Sequence, residues 1–199
     1  MKKQVENTLH EASAALDSFL NDKAAILSVS NAGKALIECL SAGGHVFSCG
    51  NGGSMCDAMH FAEELSGRYR LNRKALPASA ISDPGYISCV GNDYGYKKIF
   101  SRYLEAHAKK GDILLAISTS GYSANVVAAA KYAKEMDIKV IGLTGKKGSP
   151  LSKFSDIEIC TTAGEYADRV QELHIKVVHI LIELVERAIF PENYNQRPA

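Results

Sequence analysis

The sequence lacks the charge imbalance and the long apolar run that mark nucleic-acid-binding and membrane-spanning chains. Its 199 residues contain 23 basic and 22 acidic side chains, and a formal net charge of +1 creates no field toward a polyanion or an anionic bilayer. The most apolar stretch, residues 175–185, is interrupted by Lys176, His179 and Glu183, so it is too short and too charged to cross a membrane. We therefore expect no nucleic-acid partner and no membrane association.

Cysteine is also scarce, and its spacing excludes two further classes. The five cysteines are odd in number and form no CxxC pair, which is typical of free thiols in a reducing compartment and argues against a disulfide framework or a cysteine zinc cluster. The N-terminus continues from Met1-Lys2-Lys3 into a charged segment and has no apolar signal-peptide core. These absences predict a cytoplasmic protein.

Strand and helix patterns alternate along most of the chain. The alternation predicts an α/β fold, a three-layer doubly wound parallel sheet flanked by helices. Residues 1–199 would form one domain, with an N-terminal helical extension over residues 1–42 and a flexible polar tail over residues 191–199. The predicted strands cover residues 45–49, 78–81, 113–117, 139–144 and 157–160, and the later helices cover residues 55–69, 97–107, 124–135 and 166–190.

The last predicted helix, residues 166–190, carries apolar residues on nearly every face. A domain of this size is not expected to cover all of them with its own core, so this helix predicts a subunit interface. The N-terminal extension, residues 1–42, is a second candidate interface that we expect to serve oligomerisation. The sequence therefore predicts a homo-oligomer.

Two loops that follow predicted strands carry the residue types that bind a phosphorylated ligand. Residues 50–54, Gly-Asn-Gly-Gly-Ser, combine backbone freedom with the free N–H groups of a helix N-terminus, and they match neither a dinucleotide fingerprint nor a Walker loop. Residues 118–123, Ser-Thr-Ser-Gly-Tyr-Ser, contain four serine and threonine hydroxyls next to the start of another helix. Hydroxyls and free helix N–H groups together suit the binding of a phosphate monoester. The alternatives are a plain tight turn for the first loop and a serine N-cap with solvated neighbours for the second.

Two pairs of polar residues extend these loops toward a catalytic site. His60 and Glu64 lie four residues apart on the helix that begins at the first loop, so they share a face, although such pairs are often only surface ion pairs. Gln171 and His179 lie eight residues apart, close to two turns, on the last helix. A histidine in an apolar stripe is more often a core residue than a catalyst, and spacing alone leaves that alternative open.

Four segments carry a resemblance to a known family: residues 49–54, 57–65, 118–121 and 166–176. Over almost its whole length the chain resembles the phosphoheptose (sedoheptulose 7-phosphate) isomerases of the sugar isomerase (SIS) domain superfamily. The resemblance implies conversion of sedoheptulose 7-phosphate to D-glycero-D-manno-heptose 7-phosphate, in the biosynthesis of the heptose of lipopolysaccharide cores.

The resemblance also implies roles for individual residues. Glu64 would be the base and His179 the acid of an enediol mechanism, with one zinc ion per subunit as cofactor. The family's sites lie between the subunits of a homotetramer. The metal positions would be His60, Glu64, Gln171 and His179. The sugar phosphate would contact Asn51, Gly52, Gly53, Glu64, Asn92, Asp93, Ser118, Thr119, Ser120, Ser123 and Gln171.

A non-catalytic SIS-domain protein that binds a replication initiator is the main alternative hypothesis. Such relatives resemble this chain in the hydroxyl loop and the last helix but lack an acidic base on the helix of His60, so Glu64 together with His179 favours an enzyme. A sugar-phosphate-sensing regulator would normally carry a DNA-binding module, for which this chain has no room. An isomerase acting on a pentose or hexose phosphate stays open.

Overall fold

A five-stranded parallel sheet forms the centre of the protein. The computed structural model describes residues 1–195, with only the backbone considered at residue 195. The strands are β1 Val46–Cys49, β2 Ala78–Ala80, β3 Ile113–Ser118, β4 Lys139–Thr144 and β5 Ile157–Cys160. Their order is β2-β1-β3-β4-β5, and every neighbouring pair is parallel. The chain builds outward in opposite directions from β1 and β3, so the topological switch point lies between these two strands.

Helices cover both faces of the sheet, which confirms the predicted three-layer fold. They are α1 Lys2–Asn21, α2 Lys23–Ser41, α3 Gly53–Ser66, α4 Pro84–Tyr94, α5 Ile99–His107, α6 Ala124–Glu135, α7 Ala167–Ile189 and α8 Glu192–Asn195. Along β3, Ile113, Leu115 and Ile117 pack in one core with α2, α3 and α7. Leu114 and Ala116 point to the other face and pack with α4, α5 and α6. Because both faces are covered, β3 is apolar at nearly every position.

The N-terminal extension consists of two helices, α1 and α2. Asp22 separates them, and its Oδ1 accepts hydrogen bonds of 3.0 Å from the amides of Ala24 and Ala25, so it caps α2. Gly43 follows α2 with φ of +79°, a conformation that glycine adopts without strain. Phe19 of α1 and Leu36 of α2 are buried in the same core as α7. The extension therefore packs on the sheet's own helical layer.

One helix is missing from the sequence prediction, which assigns no element to residues 82–96. The structure places α4 there, and its start follows local rules: Oδ1 of Asp83 accepts from the amide of Tyr86 at 2.6 Å, and Pro84 occupies the first turn. Val90 is the only residue of α4 that is fully buried. Tyr86, Ile87 and Val90 do follow a helical spacing, but Gly85 and Gly91 flank this short pattern, so periodicity alone does not reveal α4 in the sequence.

The structure also corrects the argument that α7 must pack on another subunit. Most of its apolar side chains, including Val177, Leu181 and Val185, are buried against the helices of the same chain. Among the large apolar residues of α7, Ile180 is the exposed one, at 41%. Exposed apolar side chains are concentrated instead on α1 and the first turn of α2, at Val5, Leu9, Leu16, Leu20, Ile26 and Leu27.

The region predicted as a flexible tail begins with ordered structure. Residues 192–195 form α8, and the hydroxyl of Tyr194 donates to Oε2 of Glu186 at 2.9 Å. The remainder of that predicted tail, residues 196–199, lies outside the described residues. Within residues 1–195, none of the helices has the length and apolar character needed to cross a membrane.

Candidate active site

The first ligand loop lies where β1 ends and α3 begins, at the switch point of the sheet. Gly52 has φ of +55°, so a side chain at this position would be strained. A Cβ on Gly50 would lie 2.5 Å from the backbone oxygen of Ser54, and one on Gly53 would lie 2.7 Å from the side-chain amide of Gln171. Backbone conformation at Gly52 and close approach at Gly50 and Gly53 thus favour glycine at three positions of the loop.

The side chain of Asn51 ties the first loop to the second. Its Nδ2 donates to Oδ1 of Asn125 and its Oδ1 accepts from Nδ2 of Asn125, both at 2.8 Å. The hydroxyl of Tyr96 donates to the same Oδ1 at 3.0 Å. Asn125 is buried in the first turn of α6, and sequence analysis missed it, although a polar residue just after a ligand loop was a usable signal. Nδ2 of Asn51 has a second N–H beside the one that bonds to Asn125, so the side chain can still donate, and its predicted sugar contact remains a prediction.

The second ligand loop follows β3, next to β1 in the sheet. Ser118 donates to the hydroxyl of Ser123 at 3.0 Å and also accepts from the amide of Gly121 at 3.1 Å. The amide of Tyr122 donates to the hydroxyl of Ser120 at 3.1 Å. Ser123 holds the N-cap position of α6, but its side chain makes no capping hydrogen bond. The simple serine-cap alternative is therefore wrong for Ser123, and Thr119 lies half-buried in the same loop.

The candidate catalytic residues meet between α3 and α7. Nε2 of His60 lies 2.9 Å from Nε2 of His179 and 3.6 Å from Oε1 of Glu64. On the other side of the ring, Nδ1 of His60 lies 3.1 Å from Oε1 of Glu63, a contact that turns Nε2 toward His179. The ring of Tyr69 lies 5.9 Å from that of His179. His179 is therefore not a plain core residue.

The electrostatic surroundings of His179 favour its neutral form. Burial lowers the pKa of His179, and the neighbouring imidazole of His60 lowers it further, while the carboxylate of Glu64 opposes both effects. A neutral imidazole has a free ring nitrogen that can bind a metal ion or accept a proton. The pair thus suits cation binding and proton transfer near neutral pH.

Three of the four predicted metal positions come together in the single chain, and Gln171 does not join them. The side-chain amide of Gln171 packs on Gly53, where α3 begins. His179 follows Gln171 by eight residues on α7, an axial rise of about 12 Å. Gln171 therefore lies beside the ligand loop, in line with its predicted contact to the sugar.

Asn92 and Asp93 lie exposed at the C-terminal end of α4. Nδ2 of Asn92 donates to Oδ1 of Asp93 at 2.8 Å, and Sγ of Cys89 lies 3.7 Å from Oδ2 of Asp93. Tyr96, just beyond α4, is the residue of this region that contacts the first loop, through Asn51. The side chains of Asn92 and Asp93 thus bond to each other and to α4, and their predicted sugar contact remains a prediction.

Asp57 is a residue that the sequence analysis missed. It lies on α3 one turn before His60, and its Oδ2 is buried without a hydrogen-bond partner among residues 1–195. Burial raises the pKa of Asp57 to about 6, and nearby His60 only partly offsets this. Its spacing of three residues from His60 was the available signal, because such residues are neighbours on a helix.

The donor set around His60 fits zinc. Two imidazole nitrogens and a carboxylate oxygen converge, with separations of 2.9 and 3.6 Å from Nε2 of His60. Tetrahedral zinc with bonds of about 2.0–2.2 Å holds its ligand atoms about 3.4 Å apart, close to these spacings. His60, Glu63 and Glu64 also offer ligand atoms that all lie within 4.8 Å of one another. Nitrogen and carboxylate ligands of this kind are those that zinc prefers.

Two clefts of similar size open on the surface of the described chain. One, of about 640 Å³, lies between α3 and β2 and is bordered by His60, Glu63 and Tyr103. The other, also about 640 Å³, runs between α5 and α6 past Tyr122 and holds none of the catalytic candidates. The first cleft is therefore the one that the imidazole cluster adjoins.

Comparison with known proteins places this architecture in a family. The SIS domain family matches residues 9–145, the part that contains both ligand loops and α3. The phosphoheptose isomerase of Enterobacter sp. (strain 638) is 58% identical over 183 residues, which cover 92% of this chain and 95% of the relative. The chain is an SIS-domain protein.

Solved structures agree with the sequence relatives. Phosphoheptose isomerase GmhA from Neisseria gonorrhoeae superposes with a TM-score of 0.86 at 33% identity, covering 93% of this chain and 98% of that one. A phosphoheptose isomerase from Francisella tularensis gives a TM-score of 0.87, also at 33% identity, covering 93% and 97%. Within the SIS-domain proteins, the chain belongs to the phosphoheptose isomerase family.

Proposed function

We propose that this isomerase-family enzyme interconverts sedoheptulose 7-phosphate and D-glycero-D-manno-heptose 7-phosphate, as a step toward the heptose of lipopolysaccharide cores. The observation that carries the proposal is the convergence of His60, Glu64 and His179 beside a loop built for a phosphorylated sugar. The identity to curated phosphoheptose isomerases narrows the substrate to a heptose phosphate.

The phosphate group binds in the second loop. Ser120 and Ser123 present hydroxyls at the N-terminus of α6. The buried Ser118 stabilises the loop by donating a hydrogen bond to the hydroxyl of Ser123. Hydroxyl and backbone donors at a helix start stabilise an anion without a lysine. The sugar then extends over Gly52, above which the space is open, and past Gly53 toward the side-chain amide of Gln171.

Proton transfer takes place at the other end of the sugar. Glu64 removes the proton from C1 of the ketose, which leaves a cis-enediol across C1 and C2, and its carboxyl group, after exchange of that proton with solvent, protonates C2 to give the aldose. His179 serves the oxygen side, where a hydroxyl proton moves from O1 to O2. Glu64 suits the base role because its side chain is about four-fifths shielded from solvent and lies next to the imidazole pair.

Zinc is the cofactor that we propose for this cluster, one ion per subunit. His60, Glu64 and His179 would hold it, with Gln171 joining only after its amide leaves Gly53. When bound, it supplies Lewis-acid polarisation of the carbonyl oxygen. Glu63 would orient His60 through Nδ1, as carboxylates commonly do for histidine ligands.

A homotetramer with sites between subunits is the assembly that we propose. The apolar stripe of α1 supports it, since Val5, Leu9 and Leu20 are each more than half exposed and need a partner surface. Asn92 and Asp93, exposed at the end of α4, would then reach the sugar across an interface. A cytoplasmic location belongs to the same proposal and rests on the free thiols.

Proton NMR of sedoheptulose 7-phosphate in heavy water, with zinc supplied, tests the function. We expect the wild-type protein to form an aldose heptose phosphate with deuterium entering at the substrate carbon. The Glu64→Gln variant should lose activity by about 10²–10⁴-fold, because the amide cannot accept the proton. Glu105→Gln is the matched control, since Glu105 lies on α5 and pairs with Arg102.

Each outcome discriminates between hypotheses. Aldose formation that is lost in Glu64→Gln and kept in Glu105→Gln establishes the isomerase and its base. Activity that survives in Glu64→Gln removes Glu64 from the base role. If the wild-type protein forms no aldose, the isomerase proposal is wrong, and the non-catalytic SIS-domain protein that binds a replication initiator moves ahead.

A further inference from the structure

The C-terminal end of α3 is held by a buried arginine. Carbonyls in the last turn of a helix have no partner within the helix. Arg73 supplies one for two of them: its Nη2 donates to the carbonyl of Glu64 at 2.6 Å, and its Nη1 donates to the carbonyl of Leu65 at 2.7 Å. Nη1 also reaches the carbonyl of Gly67 at 3.2 Å. The backbone at the proposed base is thus bonded directly to this guanidinium.

The same guanidinium is paired with α7. Its Nε donates to Oε1 of Glu186 at 2.7 Å, and the side chains of Arg73 and Glu186 are 1% and 0% exposed. Glu186 follows His179 by seven residues on α7, about 10 Å along the axis. Loss of either partner would leave an uncompensated buried charge, so this ion pair favours one register between the helices that carry Glu64 and His179.

The C-terminal segment adds a hydrogen bond to the ion pair of Arg73 and Glu186. Tyr194 of α8 donates to Oε2 of Glu186 at 2.9 Å, and the guanidinium of Arg187 lies 4.3 Å from the centre of its ring. Burial raises the pKa of Tyr194 to about 12, and the carboxylate of Glu186 adds to this, so the phenol keeps its proton and remains a donor. Nδ2 of Asn193 donates to the carbonyl of Asn72 at 3.2 Å, which fixes α8 over the loop that contains Arg73.

We propose that Arg73, Glu186 and Tyr194 form a clamp that positions Glu64 against His179 for proton transfer. The inference rests on the proposed function, since it takes Glu64 and His179 as the proton-transfer pair. All three are positioning residues that act through other groups, and the C-terminal segment is part of the catalytic framework. The phosphate loop, between β3 and α6, has no bond to the clamp among the residues described, so the clamp should affect turnover and leave substrate binding unchanged.

Steady-state kinetics of Tyr194→Phe and Arg73→Lys test the clamp. Tyr194→Phe keeps the ring and removes only the donor to Glu186, and Arg73→Lys keeps the charge but cannot bridge two carbonyls and a carboxylate. We expect kcat to fall about tenfold in Tyr194→Phe and about 10²-fold in Arg73→Lys, with KM within about twofold of wild type, because small misplacements of a catalytic group are costly. Tyr132→Phe, the same change on α6, is the matched control.

A second measurement tests the clamp independently of enzyme activity. In the metal-free protein, the imidazole NMR resonances of His60 and His179 should shift in Tyr194→Phe and stay in place in Tyr132→Phe. Unchanged resonances, or an active wild type whose kcat survives in folded Tyr194→Phe, would overturn the clamp and leave the isomerase standing. An inactive wild type would overturn the isomerase, and the resonances would still decide whether the clamp positions the pair.

Discussion

Nε2 of His60 lies 2.9 Å from Nε2 of His179, although 119 residues separate the two histidines in the chain. Two neutral imidazoles reach this distance when Nε2–H of one ring donates to the lone pair of the other, and a cation between two lone pairs is the alternative. Burial and the neighbouring imidazole lower the pKa of His179, so its ring favours the neutral form, which can either make this hydrogen bond or bind a cation. Glu64, at 3.6 Å, supplies the negative charge that such a cation needs.

Zinc binding to the metal-free protein should depend on this pair. We expect His60→Gln to weaken zinc affinity by about 10²-fold or more, because loss of an imidazole ligand removes one of the few strong bonds to the ion. Isothermal titration calorimetry measures the affinity, with His107→Gln on α5 as the control. Equal affinities in all three proteins would contradict a zinc site at His60. A His179→Gln variant that keeps zinc but loses turnover would assign His179 to the acid role rather than the ligand role.

The paired amides of Asn51 and Asn125 should couple the two ligand loops. Each of the two hydrogen bonds contributes about 0.5–1.5 kcal/mol to stability. A double-mutant cycle with Asn51→Ala and Asn125→Ala should therefore give a coupling free energy of about 1–2 kcal/mol in urea unfolding. Additive effects of the two substitutions would show that the amides do not act as a pair.

Asp57 should make the protein less stable as the pH rises. Its pKa in the folded state is about 6, above the ordinary value of 3.8, so the fold favours the protonated form. The resulting stabilisation is complete below about pH 4 and is lost as the pH rises through about 6. We expect Asp57→Asn to match wild type at pH 4 and to have a higher Tm at pH 7.5. Parallel Tm curves across this range would contradict the burial of a charged Asp57.

His174 should have the opposite pH dependence. It is fully buried on α7, neither ring nitrogen has a partner with hydrogen-bond geometry among residues 1–195, and burial lowers its pKa to about 4. The neutral ring is stabilising above the ordinary pKa of 6.5, and this contribution is lost as the pH falls toward 4.

Unfolding free energies of a His174→Leu variant measure that contribution. Across the pH window from 7 to 4 the wild-type protein should lose about 3 kcal/mol that the variant keeps, from the shift of pKa at this buried group. His10→Leu on the exposed face of α1 is the control. A wild-type loss no larger than that of His174→Leu would show that His174 is not the group that titrates.

Features set by short stretches of chain were predictable. The alternation of apolar segments predicted all five strands, because a strand covered on both faces needs apolar residues at successive positions. The loops around Gly52 and Ser120 were predicted to bind a phosphorylated ligand from residue type and place alone, and that binding remains a prediction. The catalytic roles of Glu64 and His179 came from the resemblance to a family. Spacing alone could not distinguish Glu64 from half of a surface ion pair, or His179 from a core histidine.

Contacts between helices could not be predicted from the sequence. Only the tertiary structure showed that α7 is covered by its own chain, that Gln171 packs on Gly53, and that Asn125 takes up the amide of Asn51. It also placed Tyr194 against Glu186, in a segment that the sequence predicted as flexible. The reason is physical: periodicity, caps and turns are properties of neighbouring residues, whereas a contact between α3 and α7 follows from the packing of both helices on one sheet, and no local pattern records that geometry.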